Sequence, residues 1–296
     1  MRTGAILLAA CLAGAVFTAQ ERFHSGIDLV RLPVVVSAGG TLVTGLRAED
    51  FEVREDGRVE PITFFEAGAA GTTVPLHLGV LLDVSESMET SLVDAANACI
   101  KIIRSLETAA DVTFVDFDSQ IRLGFFSPPN DPRLFARIRG AKAKGTTALF
   151  DAVARYVDRA VELGGDHILL LYSDGGDTTS SISYGDLEKR LRAANVLVYA
   201  MGYFGNAEGP ETMRGRVRLT QMAHDTGGEV FFPTGKGDIE GLDKRIIAEV
   251  QGRYTLGYVS SNLHRDGAWR KVQVRLLRPD LHGMTLRTRP GYFGPS

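Results

Sequence analysis

Between residues 74 and 250 short apolar runs alternate with amphipathic ones, and this alternation restricts the fold more than any other feature of the chain. The runs LHLGVLLD, DVTFVDFD, HILLLYSD, NVLVYAMG and GEVFFP are each of strand length, bounded by polar or glycine-containing stretches. Strands that are apolar along nearly their whole length must be buried on both faces, as in a parallel sheet covered by helices on either side. The stretch 148–163 spells out one such helix, with Leu149, Val153, Tyr156, Val157, Ala160 and Leu163 recurring at three- and four-residue steps. Arg155, Asp158, Arg159 and Glu162 take the other positions, so the helix lies on the surface with its apolar stripe on the sheet. The expected core is a doubly wound, Rossmann-like α/β domain at residues 74–250.

The flanks read differently. Residues 21–73 carry the short β-type runs LVRLPVVVSA, TLVTGL, FEVRED and PITFFE, punctuated by Gly39, Gly40 and Gly57, and then a small, polar linker, GAAGTTVP. Residues 251–296 return to the same pattern with RYTLGYVSS, WRKVQVRLL and TLRTRPGYF. Because chain connections are short and neighbouring, the simplest arrangement packs 251–296 with 21–73 as one small sandwich-like all-β unit, with the α/β domain inserted in it or flanked by it. Two separate β units are the alternative. In WRKVQVRLL the apolar residues Trp269, Val272, Val274 and Leu276 do not alternate strictly, so its inward face is not readable from the pattern.

The first twenty residues, MRTGAILLAACLAGAVFTAQ, place one Arg before an apolar run over 5–17 that is too short to span a bilayer. That is the pattern of a signal peptide at 1–20, cleaved near Thr18 to Gln20, and it implies an exported protein that is secreted, periplasmic or associated with the cell envelope. Leu8-Ala9-Ala10-Cys11 also resembles a lipobox, whose Cys would carry a lipid anchor, although the apolar run before Cys11 is shorter than such regions usually have. Either cleavage leaves Cys99 as the remaining thiol, on an apolar helix, where a buried inert role is expected. A net charge of -3 gives no electrostatic footprint for nucleic acid.

Chemistry concentrates where the first α/β strand ends. Asp83-Val84-Ser85-Glu86-Ser87 puts a carboxylate and two hydroxyls on alternate residues just past the carboxyl end of a buried strand, the edge at which open α/β sheets bind ligands. Two further segments reach that edge: Gly145-Thr146-Thr147-Ala148 before the long helix, and Asp174-Gly175-Gly176 after HILLLYS. A ring of hard oxygens with two carboxylates suits Mg²⁺, with Mn²⁺ or Ca²⁺ as alternatives, and not Zn²⁺ or copper. Two carboxylates only balance a divalent charge, so such an ion retains affinity for an outside anion. An acidic side chain on a partner protein is the expected ligand.

At these residues the chain resembles the von Willebrand factor A domain family, whose metal-ion-dependent adhesion site has this Asp-x-Ser-x-Ser, a Thr ahead of a helix and an Asp in a later strand-end loop. The resemblance implies direct metal ligation by Ser85 and Ser87, direct or water-mediated roles for Asp83 and Asp174, and a Thr147 that joins in the ligand-engaged state. Thr147 is preferred to Thr146 because the family's Thr stands immediately before Ala-Leu. The segment from Asp225 to Val230, with Gly227 and Gly228, is also similar to that family. Beyond 74–250, AEDFEVREDG and RTRPGYF resemble a group of bacterial secreted von Willebrand factor A-related proteins. The implied function is adhesion or assembly by protein binding, without catalysis.

Other acidic and basic groups have simpler readings. Glu86 points away from its neighbours in the motif, Asp177 and the pair Asp116 and Asp118 suit turn bonds, His77 and His167 suit a buried structural role, and the charges over 133–144 suit a solvated helix and loop. The rival from another class is a haloacid dehalogenase-like, Mg²⁺-dependent phosphotransferase or phosphatase, which also starts from a strand ending in Asp. Such an enzyme needs a second Asp two residues on as general acid, and Ser85 stands there. No Gly-rich phosphate loop follows the first strand, and no Gly-x-Ser-x-Gly, Cys-x-x-Cys or His-Glu-x-x-His occurs. The third reading is a purely structural envelope protein whose metal braces loops.

Overall fold

The computed structural model describes residues 29–68, 74–106, 108–204, 208–234 and 236–295. The expected signal peptide at 1–20, Cys11 within it, and linker residues 69–73 lie outside the described residues. The N-terminal flank forms β1 (Leu29–Ala38), β2 (Thr41–Leu42), β3 (Phe51–Glu55), β4 (Arg58–Glu60) and β5 (Phe64–Ala67). The middle alternates β6 (Leu76–Asp83), α1 (Leu92–Ser105), β7 (Asp111–Phe117), β8 (Ile121–Phe126), α2 (Pro132–Arg139), α3 (Leu149–Leu163) and β9 (Asp166–Ser173). It continues through α4 (Tyr184–Ala193), β10 (Val196–Gly202), α5 (Pro210–Thr226), β11 (Glu229–Phe231) and α6 (Lys236–Gly252). The C-terminal flank is β12 (Tyr254–Val259), β13 (Trp269–Leu276), β14 (Thr285–Arg287) and β15 (Gly291–Phe293).

The middle strands make one sheet in the order β11-β10-β9-β6-β7-β8, parallel at every pairing except the β7–β8 hairpin. The expected doubly wound α/β core is the architecture observed, with α1, α2 and α6 on one face and α3, α4 and α5 on the other. Strand β8, IRLGFF, is an edge addition that the apolar pattern did not announce. Its residues are only partly buried, and its turn is fixed locally by the Gln120 N–H donating to Asp118 Oδ1 at 2.7 Å.

Strand β6 is central, paired with β7 on one side and β9 on the other. Leu78, Val80 and Leu82 pack under α1, whereas Leu81 packs under α3. On the α3 side Gly79 leaves the space that the Tyr156 ring fills, and a Cβ there would come within 2.2 Å of that ring. Since the pair seats α3 on the strand that carries Asp83, Gly79 is a packing requirement rather than a flexible point.

The flanking strands form two antiparallel sheets, β14-β1-β12-β5 with β2 on β1, and β15-β13-β3-β4. Each draws strands from both ends of the chain, and Leu32, Val34, Phe51, Val53, Tyr254, Leu256 and Val272 form the apolar core they share. In β13 the alternation is regular after all. Arg270 occupies an inward position beside Val272 and is 2% exposed. Its guanidinium donates to Ser260 Oγ at 2.9 Å and to the carbonyls of Asn262 and His264 at 2.8 and 2.5 Å, and Glu55 lies 3.6 Å away. TLRTRPGYF, read as one run in the sequence, divides into β14 and β15, which join different sheets on either side of Arg289-Pro290.

Replacing Gly79 by Ala is expected to lower stability by about 2 kcal/mol through overpacking against Tyr156. Urea denaturation of the two proteins measures this, and a neutral or stabilising change would show that α3 can shift freely on β6.

Candidate metal centre

The carboxyl end of β6 delivers Asp83 to the edge of the sheet with its side chain fully buried. Both of its oxygens are engaged. Oδ1 accepts from the Ser85 backbone N–H at 2.9 Å and from Ser85 Oγ at 2.6 Å, and Oδ2 accepts from Ser173 Oγ at 2.6 Å. Ser85 Oγ also lies 3.2 Å from Ser87 Oγ, so the three motif side chains form one connected set. Asp83 and Ser85 are buried, whereas Ser87 and Glu86 are exposed. The set therefore runs from the interior to solvent at Ser87, with Glu86 pointing into water.

The second segment is tied to the first through its backbone. Lys144 N–H donates to the Val84 carbonyl at 2.8 Å, and Glu86 N–H donates to the Gly145 carbonyl at 3.0 Å. Ala148 N–H donates to the Asp118 carbonyl at 2.8 Å, which anchors the start of α3 to the end of β7. Thr147 is buried and Thr146 exposed. Its N–H donates to Thr178 Oγ1 at 3.0 Å, and its carbonyl accepts from the N–H groups of Thr178 and Thr179 at 2.9 and 3.1 Å. Those bonds join it to the third segment. There Asp174 is half-buried and accepts the Gly176 N–H at 2.9 Å, and Ser173, the residue before it, holds Asp83. The three segments thus meet at one edge of the sheet, and the five residues singled out in the sequence lie on them.

A family model of the von Willebrand factor type A domain matches residues 77–244. The chain belongs to this family. No curated protein matches it in sequence. Among solved structures it is similar to a von Willebrand factor type A protein from Catenulispora acidiphila, at 14% identity and a TM-score of 0.50, covering 93% of this chain and 76% of that one. It is also similar to BatB from Bacteroides thetaiotaomicron, at 14% identity and a TM-score of 0.45 over 59% of this chain and 98% of that one. A third neighbour is manganese-loaded TRAP from Plasmodium vivax, at 13% identity and a TM-score of 0.47 over 83% of this chain and 99% of that one. Identities this low speak to the fold alone.

Two parts of this von Willebrand factor A domain's edge were not singled out in the sequence. Ser173 is fully buried, donates to Asp83 and accepts the Gly175 N–H at 3.0 Å, so it links β6 to the Asp174 loop. Its signal is its position, a hydroxyl ending an apolar strand immediately before the acidic residue. The other is Gly215 of α5, which packs so closely that a Cβ on it would lie 2.2 Å from the Asp174 carbonyl oxygen. Nearby, Arg218 donates to the Gly175 carbonyl at 3.3 Å. Helix α5 thereby backs the Asp174 loop from behind.

The groups given simpler readings are occupied elsewhere. His77 and His167 stack with ring centroids 4.9 Å apart; His77 Nδ1 lies 2.9 Å from Asp111 Oδ2, and His167 Nε2 lies 2.7 Å from the Gly164 carbonyl. Asp116 is paired with Arg122 and Arg137. Asp177 accepts the Phe150 N–H at 3.2 Å near the start of α3 and the Ser180 hydroxyl at 2.5 Å. Among the described residues no group of three or more His, Cys, Asp or Glu side chains is placed to hold a metal, so a cation at this edge depends on hydroxyl ligands as well as carboxylates.

Burial is the main reason the Asp83 carboxyl is pushed up to about 7; the Asp174 charge adds to the rise, while the bonds from Ser173 and Ser85 oppose it. A carboxylate held dry at the end of a sheet is short of positive charge, which a hard cation would supply. The donor set of two carboxylates and hydroxyls fits such an ion.

The raised value has a testable consequence. The folded protein keeps the Asp83 proton up to about pH 7, whereas the unfolded chain releases it near the ordinary value of 3.8. As pH rises through that window the contribution of Asp83 to stability is lost, by at most about 1.4 kcal/mol per unit. With a chelator present, wild type should therefore lose stability relative to Asp83→Asn as pH rises toward about 7, and the difference should level off above it. Urea midpoints across that range check this, and a difference independent of pH would contradict it.

Proposed function

We propose that the chain is an exported, metal-dependent protein-binding module, of the adhesion or assembly kind, that holds one divalent cation through Asp83, Ser85, Ser87, Thr147 and Asp174. The observation that carries this reading is the connected set Asp83-Ser85-Ser87, built on a buried carboxylate and opening to solvent beside the loops of Thr147 and Asp174. Mg²⁺ is the favoured ion for two carboxylates with neutral oxygens, with Mn²⁺ and Ca²⁺ as alternatives. When bound, the cation supplies positive charge and an open coordination position that accepts an acidic side chain from a partner protein.

The chain's own residues divide that work. Ser173 and the Ser85 N–H fix the orientation of Asp83, so the carboxylate does not reorganise when its charge is compensated. Ser87 stands at the solvent boundary, where a partner arrives, and the bonds between Thr147 and Thr178 hold the loop of Thr147 against that of Asp174. The general acid of the phosphotransferase reading has no counterpart in the motif. Ser85, at the position where a phosphotransferase needs its general acid, is buried and donates to Asp83. A non-enzymatic role is therefore proposed. Export follows from the signal-peptide pattern of residues 1–20, and no helix among the described residues is long and apolar enough to cross a membrane.

Calorimetric titration of Mg²⁺, Mn²⁺ and Ca²⁺ into chelator-stripped mature protein is expected to show binding of about one ion per chain that is abolished in the Asp83→Ala/Ser85→Ala double variant. Equal binding by wild type and the variant, or none by either at millimolar ion, would overturn the metal-dependent reading and leave a structural role for the domain.

A further inference from the structure

Far from this edge, a pocket of about 450 Å³ lies at the seam between the α/β domain and the β-sandwich. It is bounded by the start of β1, the loop after α4 and the segment around β15. Three arginines line it, Arg31, Arg265 and Arg289, and no acidic residue does among the described residues, in a chain whose net charge is -3. Apolar groups complete the wall, chiefly Leu29, Val30 and Phe293.

Arg289 is the unusual member. It is 8% exposed and has no carboxylate partner among the described residues. Its Nε donates to the Gly291 carbonyl at 2.9 Å and its Nη2 to the Arg192 carbonyl at 2.7 Å, in the last turn of α4. Burial holds this guanidinium below its ordinary range. The other two arginines supply no counter-charge to it. Arg31 is itself paired with Glu66 and Asp166, at 3.7 and 3.8 Å, and Arg265 is exposed with no ion pair among the described residues. A buried cation without a counter-charge is costly, and an anion entering the pocket offsets that cost.

We propose that this seam pocket binds an organic carboxylate bearing an apolar substituent, with its carboxylate on Arg289 and Arg265 and its apolar part against Leu29, Val30 and Phe293. The volume is that of a small-molecule site, and the combination of apolar walls with a few convergent polar groups is what such sites use. Arginine suits the head group because its planar fork matches a carboxylate. This site is independent of the metal edge and stands whether or not the metal reading does. The same chemistry is offered by a free aliphatic acid and by the terminal residue of a peptide.

The single tryptophan of the chain gives the readout. Trp269 packs edge-on against Phe293 with ring centroids 5.0 Å apart, so a ligand touching Phe293 perturbs its emission. Mature protein is titrated with hexanoate, N-acetyl-leucine, hexanamide and inorganic phosphate while Trp269 fluorescence is followed. Saturable changes with hexanoate or N-acetyl-leucine and none with hexanamide are expected. The tighter of the two acids tells a free acid from a chain terminus. Arg289→Met and Arg265→Ser should each weaken the response, the first by about tenfold or more. Arg265 is exposed, so its variant keeps the test valid if loss of the Arg289 bond to α4 impairs folding. Equal binding of hexanamide, equal binding of phosphate, no response to either acid, or affinity unchanged in Arg265→Ser and Arg289→Met would each overturn the proposal.

Discussion

The structure turns on one buried carboxylate. Asp83 ends the central strand of a sheet whose neighbours β7 and β9 lie on both sides, so water cannot reach it from the flanks, and both its oxygens are held by protein donors. Orienting donors soften the cost of drying that group but do not neutralise it. Much of the surrounding architecture serves to keep it there. Tyr156 seats α3 over Gly79 of the same strand, Gly215 lets α5 press on the Asp174 loop, and backbone bonds stitch residues 84–87 to residues 144–145. In the proposed reading a cation would supply the missing charge, held by a ligand set acidic enough to bind it but not to saturate it.

The parts of this account that were legible in the sequence are those set by local pattern. Five apolar runs announced the parallel strands, the three- and four-residue recurrence announced α3, and Asp-x-Ser-x-Ser marked the edge where the proposed site lies. Features set by contacts distant in sequence were not legible. Ser173 matters because β9 lies beside β6, which brings its hydroxyl to Asp83 across 90 positions. Gly215 matters because α5 returns to the loop of Asp174. The period of β13 was obscured because a charged residue, Arg270, occupies an inward position, satisfied by Ser260 and the carbonyls of Asn262 and His264. No apolarity scale predicts that.

The seam between the two halves is polar where it is buried. Arg287 of β14 pairs with Glu249 of α6 and Glu229 of β11, Arg245 reaches the same two acids, and Tyr199 of β10 donates to Glu249 at 3.1 Å. Two cations and two anions shared among three elements specify one docking geometry more strictly than apolar contact would, though at a desolvation cost. Because α6 runs directly into β12, the sandwich and the α/β domain also share a covalent junction with few free torsions. The domain that carries the proposed metal site is thus fixed to the sandwich through β12 and β14.

The most direct test is the titration of Asp83 itself. Its side-chain carboxyl carbon can be followed by NMR from about pH 4 to 9, first in chelator and then in excess Mg²⁺, with Asp83→Asn identifying the resonance. A midpoint near 7 is expected without the cation, and a fall of about two units or more with it, because the ion would stabilise the carboxylate. A midpoint at the ordinary 3.8 in chelator, or one that Mg²⁺ does not move, would contradict the claim that this buried charge is built to be completed by a metal.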